Sequence, residues 1–320
     1  MLLPLDLPPG IFRNGTDLQA AGRWRDASLV RWREGAMQPI GGWQQRVVLT
    51  SSGVPRGMHA WLDNSGNRHI ALATNSTAYH ISASGTVTGI TPGGFTSGTN
   101  IATANRGYGG GFYDAGLYGT TRPDSGTYSE VTTWSMDNWG ETLVACSSTD
   151  GVLYDWDLNT SNDLVALSNA PTGCLGLTVT EGRFLFALGA GGDPRKVQWS
   201  DREDNETWTP SATNEAGDFI LQTQGRIMQG LRVRGGQLLL TDRDAHTATE
   251  TGDILVFGFE QVGTACGAVS RRAAAPVEGG AMWMGVNGFF RFDGGVVEDL
   301  PCDVSDFVFD NINSNQASQI

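Results

Sequence analysis

The sequence predicts an all-β chain: a β-propeller-like fold of repeated antiparallel hairpins with an extended N-terminal arm. Three observations carry this. A glycine-led apolar run, a polar turn and a second short strand recur along the chain. Glycine supplies 44 of 320 residues, about twice the usual share of roughly 7%, so tight connections are frequent. Helical periodicity is weak throughout; only 247–252 and 311–320 offer a short turn.

The arm is expected over 1–56, because Pro4, Pro8 and Pro9 disfavour helix there. Within it, 28–32 reads as a strand, and Gly35, Gly41 and Gly42 mark turns. Blades are expected over 57–320. The first hairpin pairs 68–74 with 77–81 across Asn75 and Ser76. A Gly/Thr/Ser-rich insertion follows at about 85–121, with Phe112, Tyr113 and Tyr118 favouring order over a plain linker. Four more hairpins start at Gly140, Gly182, Gly236 and Gly280, at steps of 42, 54 and 44 residues. Propeller blades recur at roughly 40–50 residues. In the hairpin from Gly236, a polar excursion is expected between 237–241 and 254–257. A propeller must close on itself, so closure is expected either from strands of the arm or from outside the chain.

The formal net charge is -13 and the sequence pI about 4.6. Dense basic spots are confined to 23–25, 31–33 and 271–272, so sequence-specific nucleic-acid readout is not expected. An acidic wall repels phosphate, which suits a conduit through which DNA slides. Cys146, Cys174, Cys266 and Cys302 lack metal-finger spacing and read as small buried hydrophobes. The N-terminus has no basic region before its apolar residues, and no run approaches membrane-spanning length; neither a signal peptide nor a membrane span is expected.

Catalytic patterns are sparse. His59, His69, His80 and His246 form no metal-ligand motif, and His69 and His80, in expected strands, are read as packing or surface residues. No nucleophile elbow, phosphate loop or dinucleotide fingerprint occurs. Neither catalytic residues nor cofactor or metal sites are expected. The run 199–208 resembles the Asp-box turn of propeller sialidases; its functional version would be a glycosidase with paired carboxylates. The structural version is a β-turn whose Asp bonds backbone amides while Trp199 and Trp208 pack the blade. Asp242 and Asp244, with Glu250 and Asp253, read as a solvated loop rather than a calcium site.

Several segments are together similar to one family. These are 12–16, Gly22-Arg23-Trp24, Leu29-Val30-Arg31-Trp32, 39–43, 90–92, 134–141, 198–201, 208–210 and 262–264. They resemble the tail nozzle of short-tailed bacteriophages, also called tail tubular protein B or the packaged-DNA stabilisation hub. The resemblance spans most of the chain, although its members are commonly longer. It implies a non-enzymatic structural subunit of the virion tail. Such a subunit would form a homohexameric ring below the portal-adaptor ring, continue the channel around packaged double-stranded DNA, and anchor tail fibres or spikes.

On that reading the lumen-facing acidic loops would carry Asp201, Glu203, Asp204, Glu206, Asp242, Asp244 and Asp253. Arg23, Trp24, Arg31, Trp32 and Trp43 would dock on the adaptor or close the propeller, with ordinary packing as the alternative for the tryptophans. A second class of function is a propeller glycan-binding module or sialidase-like glycosidase. It would need clustered Arg, Tyr and Glu at one end of the propeller. A receptor-binding spike head would favour long β-helical repeats, which are not seen.

Overall fold

The apolar runs pair as antiparallel meanders. A computed structural model describes residues 7–48, 51–102 and 130–320. It is a five-bladed β-propeller, each blade four-stranded with consecutive strands as neighbours. Blade 1 comprises Pro55–Leu62, Arg68–Thr74, Ala78–Ser82 and Val87–Gly89; blade 2 comprises Trp134–Trp139, Thr142–Ser147, Leu153–Trp156 and Val165–Ala166. Blade 3 comprises Gly176–Val179, Leu185–Leu188, Lys196–Trp199 and Gly217–Ile220. Blade 4 comprises Ile227–Val233, Gly236–Thr241, Ala245–Glu250 and Phe257–Gly263; blade 5 comprises Ala274–Val277, Gly280–Met284, Phe289–Phe292 and Val297–Leu300. First strands of successive blades touch one another, so the first strand of each blade is the innermost.

The expected hairpins are the second and third strands of blades 1, 2, 3 and 5. In blade 4 the expected partner was wrong. The polar excursion after Thr241 is itself the third strand, Ala245–Glu250, and the apolar run 254–257 leads into the fourth. Polarity hid it: His246 is buried but satisfied by Asp244 at 3.1 Å.

Second strands read as continuous apolar runs because both their faces are covered. In blade 2, Leu143 and Ala145 face blade 1, whereas Val144 and Cys146 face blade 3. In blade 3, Leu185 and Ala187 face blade 2, whereas Phe184, Phe186 and Leu188 face blade 4. In blade 4, Leu239 faces blade 3, whereas Leu238 and Leu240 face blade 5. Burying each Leu or Phe contributes about 1.5–3 kcal/mol. Indole donors are satisfied as they pack: Trp61 Nε1 donates to the Glu141 carbonyl at 2.9 Å, and Trp134 Nε1 to the Thr74 carbonyl at 2.8 Å.

Left-handed residues turn the first strand of each blade into the second: Gly66, Gly140, Arg183, Gly235 and Gly279. In blade 3 the left-handed residue is Arg183, and the preceding Gly182 sits where a Cβ would meet the Glu250 carboxylate. Gly57 permits a different close approach: a Cβ there would lie 2.7 Å from Trp134 Cβ of blade 2.

Among the described residues the arm adds no strand to a blade. Val30–Arg33 pairs only with Ala36–Pro39, as a separate two-stranded sheet. The expected closure by arm strands is therefore corrected: each blade draws all four strands from one continuous stretch. Blade 1 begins at Pro55, and its fourth strand lies inside the expected insertion. Residues 103–121 of that insertion fall outside the described residues. A helix forms at Ser305–Asn311 and a 3-10 segment at Ser314–Gln319, while the expected turn at 247–252 lies largely in a strand.

Candidate functional site

The meander fixes which loops share an end of the propeller. Turns between first and second strands, and between third and fourth, lie at one end. Turns between second and third strands lie at the other, together with the connections between blades. The second end carries a cluster of arginines around Glu130.

There Glu130, just ahead of blade 2, lies between Arg226, just ahead of blade 4, and Arg271, just ahead of blade 5. Arg226 Nη2 pairs with one carboxylate oxygen, and Arg271 Nη2 lies 3.3 Å from the other. Arg226 Nε also approaches Asp242 at 3.6 Å. Arg271 reaches the Leu175 carbonyl at 3.5 Å, and Arg272 donates to the Trp134 carbonyl at 2.5 Å. These spokes join blade 5 to blades 2 and 3 across the axis. Burial works to raise the Glu130 pKa, but Arg226 and then Arg271 outweigh it, so the carboxyl lies below its ordinary value. Burial lowers the Arg271 pKa, with Glu130 opposing.

The sequence-nominated acidic loops do not come together. Asp201, Glu203, Asp204 and Glu206 lie in the outer turn of blade 3, between its third and fourth strands, and Asp253 lies in the corresponding turn of blade 4. Asp242 and Asp244 lie at the opposite end. The outer turns are remote from the propeller axis. Asp244 is a correction. It is 8% exposed, and its oxygens accept from Thr241 (2.5 Å), His246 (3.1 Å), Thr223 (2.7 Å) and Gln261 (3.2 Å). A carboxylate spent on four internal donors is neither a solvated loop residue nor a wall.

The Asp-box-like turn is built as a structural turn. Asp204 accepts from the Glu206 amide at 2.9 Å and the Thr207 hydroxyl at 2.8 Å, and these bonds hold its pKa down. Asp201 accepts from the Arg202 and Glu215 amides. Trp208 is buried, with Nε1 donating to Asn205.

The arm packs against the segment after blade 5. Arg23 pairs with Asp303 at 3.1 Å, and the Arg13 guanidinium lies 3.7 Å from the Phe307 ring centroid; within the arm, Trp24 forms a backbone bridge with Ile11. Trp24 and Trp32 are half-buried, Arg31 is exposed, and Trp43 is 97% exposed. The exposure of Trp43 is not explained by packing within the chain.

One constellation escaped the sequence reading. Asp63 Oδ2, His69 and His80 form a chain: 3.3 Å from the carboxylate to His69 Nε2, then 2.9 Å from His69 Nδ1 to His80 Nε2. Its far end meets the Trp156 ring at 4.8 Å, and Trp61 stacks between His59 and His69. Hydrogen bonds, first from Asn67, hold Asp63 at about 2. Burial, then the neighbouring His69, pushes His80 down to about 4. The three side chains lie among Trp61 and Trp156, where blades 1 and 2 pack. The strand register aligns these side chains; no local spacing reveals them. The four cysteines are free, and Cys146, Cys174 and Cys266 are buried, which raises their pKa values. Among the described residues no group of His, Cys, Asp or Glu is placed to hold a metal, and no helix is long and apolar enough to cross a membrane.

No protein-family model matches the chain, and no curated protein matches it. Solved structures do. A virginiamycin B lyase from Staphylococcus aureus is 9% identical, with 80% of this chain and 70% of that one covered and a TM-score of 0.45. A BBS1N structure in complex with ARL6DN is 12% identical over 78% of this chain and 68% of that one, with a TM-score of 0.45. A protein from Lactobacillus plantarum is 14% identical over 78% and 71%, with a TM-score of 0.45.

Proposed function

We propose that the chain is a non-enzymatic structural subunit of a short phage tail, forming the nozzle or hub ring below the portal adaptor. The supporting observation is an uncovered blade face. Apolar cores join blades 1 to 2, 2 to 3, 3 to 4 and 4 to 5, and none joins blade 5 to blade 1 among the described residues. The free face of blade 1 carries two cross-strand apolar rows, Met58-Leu72-Tyr79 and Ala60-Ile70-Ile81. Met58 and Leu62 are 62% and 59% exposed. A neighbouring subunit in a head-to-tail ring would cover this face. The net charge of -13 suits a bore in which packaged DNA slides without adhering. The outer acidic turns at Asp201–Glu206 and Asp253 are the candidates for that wall, and the exposed Trp43 with Arg31 for adaptor docking. The virion tail is the corresponding location.

Cryo-electron microscopy of the virion, or of the chain with its adaptor ring, tests this. A six-fold ring on the tail axis, with the outer turns toward the bore, is expected. A monomer with no place on the tail axis overturns it.

One observation favours the glycan-binding or sialidase-like alternative: Arg56, Arg226, Arg271 and Arg272 gather with Glu130 at one end of the propeller. Glu130 already neutralises two of them. Cleavage or retention of a sialylated oligosaccharide by the purified chain would establish that alternative, and neither is expected.

A further inference from the structure

Two asparagines in this chain precede a glycine: Asn14 before Gly15, and Asn287 before Gly288. Asparagine is a chemically labile residue, and a following glycine opens one route. The glycine backbone nitrogen can attack the asparagine side-chain carbonyl carbon, because no Cβ shields it and the glycine backbone adapts to the ring that forms. The rate in a folded chain depends on whether the two groups are free to meet or must first be released by local opening.

The fold engages the first pair and leaves the second free. Asn14 Nδ2 donates to the Cys302 carbonyl at 2.7 Å and to Ser305 Oγ at 3.2 Å, and its Oδ1 accepts from the Asp306 amide at 3.2 Å. The Gly15 nitrogen donates to the Asp306 carboxylate at 3.2 Å. Both reacting groups of this pair are thus tied to the segment after blade 5. Asn287 instead lies exposed in the turn that joins Gly280–Met284 to Phe289–Phe292. The Gly285 nitrogen closes that turn on the Gly288 carbonyl at 2.8 Å. Among the described residues, neither the Asn287 side chain nor the Gly288 nitrogen has a hydrogen-bond partner. Space around Gly288 is open: an added Cβ would come no nearer than 3.9 Å, to the Phe290 ring.

We propose that Asn287 is a site of spontaneous deamidation and that Asn14 is protected from it. The bond that forms joins the Gly288 nitrogen to Asn287 Cγ. The bond that breaks is Cγ–Nδ2, and ammonia leaves with the proton given up by the Gly288 nitrogen. The resulting succinimide takes up one water at either carbonyl and opens to aspartate or to isoaspartate. Water is the sole co-reactant. Asn287 lines a cleft of about 410 Å³ between blades 4 and 5, together with Arg243 and Phe290. Conversion therefore adds a negative charge at that cleft, and the isoaspartyl form also lengthens the turn by one backbone carbon. The site stands independently of the ring assembly and of the glycan-binding alternative.

Incubation of the full chain at mildly alkaline pH, followed by peptide mapping with mass spectrometry, tests the proposal. The peptide holding Asn287 should gain the mass of an amide-to-acid exchange at least about tenfold faster than the peptide holding Asn14, whose hydrogen bonds must first be broken. In denaturant the two rates should converge, since both pairs are then equally free. Gly288→Ala should slow conversion at Asn287 by about tenfold or more by shielding the attacking nitrogen. Gly288 is not left-handed and has room for a Cβ, so the fold accepts that change, and circular dichroism checks it. Asp150-Gly151 and Asp293-Gly294 can close the same ring but gain no mass, so they do not enter the readout. Equal rates at Asn14 and Asn287 in the folded chain, an Asn287 that does not convert, or unchanged conversion in Gly288→Ala overturns the proposal.

Discussion

The seam between blades 3 and 4 and the seam between blades 5 and 1 are closed by different physics. At the first, Phe186 meets Phe257 edge-on at 4.8 Å and Trp199 meets Phe257 at 5.2 Å, in a core that also holds Phe184, Leu188, Ile227 and Leu239. At the second, hydrogen bonds of the C-terminal segment dominate. The Gln316 side chain exchanges bonds with the Ala102 backbone at 3.2 and 2.9 Å, Arg56 reaches Gln319, and Ser270 donates to the Ile320 carbonyl at 2.5 Å. Apolar burial stabilises in proportion to area, whereas each exchanged hydrogen bond nets only about 0.5–1.5 kcal/mol. Four seams hold themselves together. The fifth is held by a polar latch and leaves apolar strand faces uncovered.

The largest expected effect lies at the apolar seam. Phe186→Ala should lower unfolding free energy by about 3–5 kcal/mol, and Leu72→Ala on the uncovered face of blade 1 by about 1 kcal/mol. Denaturant titration of both variants measures the contrast; equal losses would erase it.

Next comes the axial tie. Glu130→Gln leaves Arg271 without its carboxylate partner and Arg226 with Asp242 alone, at about 2–4 kcal/mol. Because the Glu130 pKa is depressed below 4.5 in the folded state, its contribution is fully present above pH 4.5 and fades as pH falls through the folded value. Acid unfolding of wild type and E130Q should converge there.

The blade 1–2 interface has its own acid signature. An unfolded histidine takes a proton near 6.5, whereas His80 resists until about 4. The unfolded state therefore binds more protons in that window, and stability falls as pH drops from 6.5 to 4, by up to about 3 kcal/mol. His80→Gln should flatten that slope in denaturant titrations repeated across the window. The smallest effect is expected at the latch: Gln316→Ala should cost about 1 kcal/mol, read as a change in denaturation midpoint.

The legibility of these regions in the sequence follows the same division. Second strands buried on both faces write continuous apolar text, and 142–147, 185–188 and 236–241 were readable for that reason. First strands are mixed: His59 and Trp61 face blade 2 while Met58 and Leu62 face outward, so Pro55–Leu62 gave no clear signal. Ala245–Glu250 was misread because its burial depends on Asp244, a tertiary partner. The axial spokes were not legible at all. Glu130, Arg226 and Arg271 are far apart in sequence and meet only because the connections between blades converge on the axis. The acidic loops were found as text, but composition cannot tell an outer turn, such as Asp201–Glu206, from a buried hub such as Asp244.

Hydrogen exchange on the isolated full chain tests most directly whether the fifth seam is weaker than the other four. Amides of Pro55–Leu62 and Arg68–Thr74 in blade 1 should exchange faster than those of Leu185–Leu188 and Gly236–Thr241, and should slow when the chain assembles. Equal protection of blade 1 and blades 3 and 4 in the isolated chain would contradict the division between four apolar seams and one polar latch.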